Sequence, residues 1–179
     1  MRILYFVLSV IMLFALTSCD LSRNNNELPQ SIKQTLSACE TKDIELAKSK
    51  FAPNALVVID GFDDSFVLLS DYFTGTIIMH KDPNGGPEST KEVDQGYCRE
   101  DKYWSLDVST DKEEYRVAIH EVSIDTKNPD NVGIWSIYII KMEDDTNPAY
   151  TYRGDGRYIP GIHIGIKNVL PAISMEESL

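Results

Sequence analysis

Gly133-Ile134-Trp135-Ser136-Ile137-Tyr138-Ile139-Ile140-Lys141-Met142 is apolar on both faces when read as a strand. Successive side chains of a strand point to opposite sides, so Ile134, Tyr138 and Ile140 fall on one face and Trp135, Ile137 and Ile139 on the other. A segment with two apolar faces belongs in the middle of a sheet covered on both sides.

Neighbouring segments supply partners for this central strand. Residues 97–108 alternate through Trp104, Leu106 and Val108, and the charged turn Asp111-Lys112-Glu113 leads into a second run over 115–124. A long loop over 125–131 joins that run to the central strand, and beyond it Ile162, Ile164 and Ile166 alternate in a last strand before Pro171. Upstream, residues 55–60 form an apolar, β-branched run closed by the turn signal Gly61-Phe62-Asp63-Asp64, and 65–72 and 74–80 read as two further strands. Residues 82–95, with Pro83-Asn84-Gly85-Gly86-Pro87, read as a mobile loop.

Ahead of the strands the period is helical. Leu28, Ile32, Leu36, Cys39, Leu46 and Ala47 recur at spacings of about three, four and seven, Pro29 is tolerated in a first turn, and Lys48 and Lys50 suit a helix C-terminus. Asp43 falls on the apolar stripe, which allows a break near Thr41 into two shorter helices; Pro53 ends the run. With no helices to cross between strands, the order should be antiparallel. The expected fold is α+β, with the N-terminal helix packed on a curved, mainly antiparallel sheet of about six to seven strands. A β-sandwich or barrel with a capping helix is the alternative.

The first residues carry an address. Arg2 gives a positive start, residues 3–16 are apolar except for Ser9, and Leu16-Thr17-Ser18-Cys19 closes the run with small residues and a cysteine. At 14 residues this apolar core is shorter than the ~20 needed to cross a bilayer, and Ser22-Arg23-Asn24-Asn25-Asn26 follows at once. The four residues ending at Cys19 resemble the lipobox of bacterial lipoproteins. The resemblance implies diacylation of the Cys19 thiol, cleavage before it and acylation of the new amine. Asp20, directly after the cysteine, resembles the inner-membrane retention signal of enteric Gram-negative lipoproteins. The expected location is therefore the envelope, facing the periplasm, with the inner membrane favoured and the outer membrane open. The chain divides into a signal peptide at 1–18, a lipidated cysteine and tether at 19–27, one globular domain over 28–172 and a tail over 173–179.

The whole chain has a net charge of −11. Without residues 1–18, whose one charge is Arg2, the remaining 161 residues hold 28 acidic and 16 basic side chains, a net −12. This charge opposes nucleic-acid binding, leaves membrane attachment to the lipid and favours basic protein partners. Once Cys19 is acylated, Cys39 and Cys98 have only each other, and in an oxidising compartment they are expected to form a disulfide. For a loop of that length the bond would contribute roughly 4 kcal/mol.

Motifs for bond-breaking chemistry are not found. His80, His120 and His163 lack metal-binding spacing and read as satisfied surface or core histidines. The acid clusters at Asp60 with Asp63-Asp64, at Glu113-Glu114 and at Glu143-Asp144-Asp145 lack the calcium-loop pattern and read as solvated turns. No nucleophile elbow or phosphate loop is present, and neither metal nor cofactor is expected. One segment has the composition of a contact surface: Tyr150, Tyr152, Arg153, Arg157 and Tyr158 surround Gly154-Asp155-Gly156. A hairpin turn with flanking tyrosines is the other reading of it. The expected role is capture or inhibition of another protein at the envelope, as by an inhibitor or immunity protein. The alternative is an accessory structural lipoprotein of a secretion, pilus or conjugation machine, with an envelope enzyme behind both.

Overall fold

A computed structural model describes residues 28–145 and 159–165. The N-terminal helical run breaks where Asp43 interrupts its stripe. Helix α1 spans Gln30–Thr41 and ends on Lys42 in the left-handed conformation. Helix α2 spans Ile44–Lys48, and the Asp43 carboxylate caps it by accepting from the Leu46 amide.

Two segments predicted as strands are helices. Helix α3 spans Pro53–Val58, starting on a proline whose ring already holds the helical φ. Helix α4 spans Phe62–Tyr72. Its buried Phe62, Phe66 and Leu69, followed by Phe73, recur at helical spacing, and Asp63 and Asp64 lie in the first turn, where the helix dipole favours negative charge.

The six-stranded sheet is open and mostly antiparallel. Its strands are β1 (Ile77–Lys81), β2 (Glu88–Asp94), β3 (Tyr97–Thr110), β4 (Glu114–Asp125), β5 (Gly133–Lys141) and β6 (Gly161–Ile164). The order is β1-β3-β4-β5-β6, with β2 also on β3, so β1 and β2 share one edge. Strand β2 lies inside the stretch predicted as a loop. It is exposed along its whole length and is held by pairing with β3 through the turn Gln95-Gly96, both residues having positive φ. Strand β6 departs from the antiparallel expectation: it runs parallel to β5, with Ser136 opposite Gly161. The chain from 142 to 160 exceeds the dozen residues a parallel crossover needs.

Helices α1 to α4 pack on one face of the sheet. Ile32, Leu36, Cys39, Ala47, Ala55, Phe66 and Leu69 share a core with Trp104, Leu106 and Val108 of β3, Tyr115, Val117 and Ile119 of β4, and Ile134, Ile137 and Ile139 of β5. On the opposite face Ala118, Tyr138 and Ile140 form a second buried cluster. The central strand is thus buried on both sides, with one change from the simple alternation. An irregularity shifts the register between His120 and Glu121 and moves Ile134 to the face of Ile137 and Ile139. Short helix α5 spans Met142–Asp145. Among the described residues no helix is long and apolar enough to cross a membrane.

Candidate functional site

At one end of the sheet, β1, the β3–β4 turn and α5 enclose an open groove of about 580 Å³. The turn is built tightly. Thr110 Oγ1 donates to the Thr74 carbonyl at 2.8 Å and accepts from the Glu113 amide at 2.9 Å. Asp111 Oδ1 accepts from the Thr76 amide at 2.7 Å, and the Asp111 amide donates to the Thr76 carbonyl at 2.9 Å. Gly75, at φ +90°, lies so close that a Cβ there would stand 2.4 Å from Asp111 Oδ1. These contacts fix the entry to β1 against the end of β3.

Beneath the turn, buried Tyr115 locks the end of α4 to the sheet. Its hydroxyl donates to the Tyr72 carbonyl at 3.1 Å and accepts from the Thr74 amide at 2.9 Å, and the Tyr72 hydroxyl accepts from the Lys141 amide at 2.9 Å. Burial raises the Tyr72 pKa. On the far side, Arg116 positions α5 by donating to Asp145, while its Nε donates to Asp107 at 3.3 Å.

The resulting rim is mainly acidic, with Asp111, Glu113, Glu114 and Glu143 against the single exposed cation Lys112. Glu113 accepts from Lys141 Nζ at 2.9 Å, a contact that raises the lysine pKa. The side chains of Glu114 and Glu143 are exposed on the groove. Along β1 the lining turns apolar: Ile78 is 68% exposed and Met79 57% exposed. Such a surface provides apolar contact area surrounded by carboxylates, which suits a ligand bearing both apolar and cationic groups. In sequence its acids stand in clusters predicted as solvated turns, about 30 residues apart; pairing of β4 with β5 brings them together.

A second cleft, of about 560 Å³, lies between the helical layer and β4, lined in part by Ser31, Phe51, Leu56 and Glu121. Its carboxylate is already engaged, since Glu121 accepts from Ser31 Oγ at 2.8 Å and from Trp104 Nε1 at 3.4 Å.

The three histidines are far apart in role. His80 is exposed on edge strand β1. His120 Nε2 lies 2.8 Å from Asp101 Oδ1 with its ring stacked on Tyr103, and His163 Nε2 lies 3.0 Å from the Ile159 carbonyl. Arg99 grips the same Asp101 through Nε at 2.8 Å and Nη2 at 3.0 Å. Among the described residues no group of three His, Cys, Asp or Glu side chains could hold a metal ion.

Cys39 and Cys98 are free thiols, in place of the expected disulfide. Helix α1 places Cys39 in the core near its C-terminal end, which Lys42 ties to Asp71, beside Tyr72 and hence beside Tyr115 at the start of β4. Cys98 pairs its amide with Thr126 Oγ1 at 2.9 Å, beyond the other end of β4. A strand of that length spans ~35 Å, so α1 carries Cys39 away from Cys98. Cys19, Tyr150, Tyr152, Arg153, Arg157 and Tyr158 lie outside the described residues.

Residues 34–142, from within α1 to the end of β5, match the model of a family described as a domain of unknown function (DUF5104). No curated protein matches the chain.

Proposed function

The chain belongs to the DUF5104 family, and we propose that it is a lipid-anchored binding protein of the bacterial envelope that captures or inhibits a basic protein. The observation that carries this reading is the groove where exposed Ile78 and Met79 lie among Glu114, Glu143 and Asp111. Apolar residues at the centre of a charged rim are the arrangement of a contact surface, with the rim steering the partner and the centre holding it. The net charge of −11 acts over longer range in the same direction.

In this reading the sheet curves around its helical layer as an α+β roll. Cys19 carries acyl chains, residues 19–27 are the tether, and Asp20 keeps the protein in the inner membrane facing the periplasm. Two or more chains, at ~0.8 kcal/mol per buried methylene, give an attachment that one chain does not. The segment with Tyr152 and Arg153 adds contact side chains of the kind that dominate interfaces.

The test uses the full-length protein in its own cells. Metabolic labelling with a fatty acid should mark the protein and miss Cys19→Ala. Cross-linking should recover a 1:1 complex with a basic envelope or incoming protein, lost when Glu114→Lys and Glu143→Lys are combined. Recovery of membrane-machine subunits that is indifferent to this charge reversal would replace capture with a structural role.

A further inference from the structure

We propose that the partner docks as an extended, lysine- or arginine-bearing segment that adds as a strand to the free edge of β1; this rests on the capture reading above. Strand β1 pairs with β3 on one side, and among the described residues nothing pairs with its other side. A free edge presents a row of backbone donors and acceptors that an incoming strand can satisfy.

The two strands that share this edge differ in how they meet solvent. Strand β2 carries Glu88, Lys91, Glu92 and Asp94 among its seven residues, the kind of charged edge that resists pairing. Strand β1 has only Lys81, at its end, as an Asp, Glu, Lys or Arg residue and exposes Ile78 and Met79 ahead of it; its register is irregular between Ile77 and Met79, so Ile78 has no partner on β3. An added strand would cover these two side chains. Its alternate residues would then reach Glu114 and Glu143 across the groove, which sets the sign of its charge. A second copy of this chain is the poorer occupant, because two chains of net −11 with the same acidic rim repel.

The test titrates the isotope-labelled full chain, in detergent micelles, with a short peptide alternating lysine and valine and with its glutamate–valine counterpart. The amides of residues 77–81 should shift and exchange more slowly with the lysine peptide. The glutamate peptide should bind at least about tenfold more weakly, as should the lysine peptide to the combined Glu114→Gln and Glu143→Gln variant. Ile78→Lys, a change at an exposed position, should weaken the lysine peptide while leaving the rest of the spectrum in place.

Equal binding of both peptides, shifts confined to β2 or β6, or a peptide-free dimer that protects β1 would each overturn strand addition. A cross-linked partner complex in which the β1 amides stay unprotected would also overturn it while leaving capture intact. Protection of β1 by the lysine peptide in a protein that captures nothing in cells would support the edge chemistry and count against capture alone.

Discussion

Cys39 and Cys98 show how position in the fold sets a side chain's chemistry. Cys39 is fully buried, and burial pushes its thiol pKa up to about 12, so it holds almost no thiolate near neutral pH. Cys98 is half-buried at the start of β3. A maleimide reagent should therefore label Cys98 in the folded protein and reach Cys39 only after unfolding, read by mass spectrometry of the digested chain. Protection of both thiols that is released by a reductant would instead mean the two are bridged. The cysteines were legible as residues able to pair, but the direction of α1 along the sheet was not, since nothing local to position 39 or 98 records it.

Among the elements, the clearest mechanical joint is where β5 begins. Gly133 has φ +135°, and a Cβ there would lie 2.7 Å from the Ala52 amide nitrogen. That approach lets residues 50–52 lie along β5, with the Ile134 amide donating to the Lys50 carbonyl at 2.9 Å and the Ala52 amide to the Ile134 carbonyl at 2.9 Å. Gly133→Ala should destabilise the fold by about 2 kcal/mol in a urea titration, from backbone strain and lost contact together. Gly61→Ala, at φ +61° with open space around its Cβ, should cost about 1 kcal/mol, from the backbone alone. An equal loss at the two sites would mean the contact with Ala52 contributes nothing. The alternation of β3, β4 and β5 was readable because long strands with one or two apolar faces repeat their period often enough to be recognised. The run at 55–60 is too short to show a period, and the helical spacing of Phe62, Phe66 and Leu69 is obscured in the sequence because Gly61-Phe62-Asp63-Asp64 has the composition of a turn.

Across the whole molecule, stability should fall on acidification in two stages. Burial holds the His120 pKa below the ordinary histidine value, against the raising pull of Asp101. The unfolded chain then binds this proton more readily, beginning at about 6.5, so stability declines as pH falls from there through the folded value. The second stage belongs to carboxylates with lowered pKa. Asp125 is lowered by the Asn131 amide and by the Asn128 and Lys127 backbone. Glu100 is lowered chiefly by Ser123. In Asp101, burial raises the pKa but Arg99 and His120 outweigh it. The stability these groups give is complete above about 4.5 and is lost as pH falls through their folded values. Urea midpoints should be level between about pH 7 and 8, show a first decline below about 6.5 and a steeper one below about 4.5, and fall again above about 8.5, where the unfolded chain gives up the thiol proton that buried Cys39 keeps. His120→Asn should remove the first decline and keep the second; a midpoint that rises between pH 7 and 5 would contradict the burial of a neutral imidazole.

The sequence alone determined the middle of the sheet, the helical N-terminal run with its allowed break, and the acidic balance, because each is written in near neighbours: alternation, helical spacing, an acid on an apolar stripe, a count of charges. Tertiary structure decided the rest. Whether the exposed run at 88–94 is a loop or a strand depends on β3 extending far enough to pair with it, and the direction of β6 depends on which edge of β5 stays open. The groove itself joins Ile78 and Met79 to acids at 111, 113, 114 and 143. Backbone hydrogen bonds between distant segments make that meeting, and their partners are chosen only when the chain has folded.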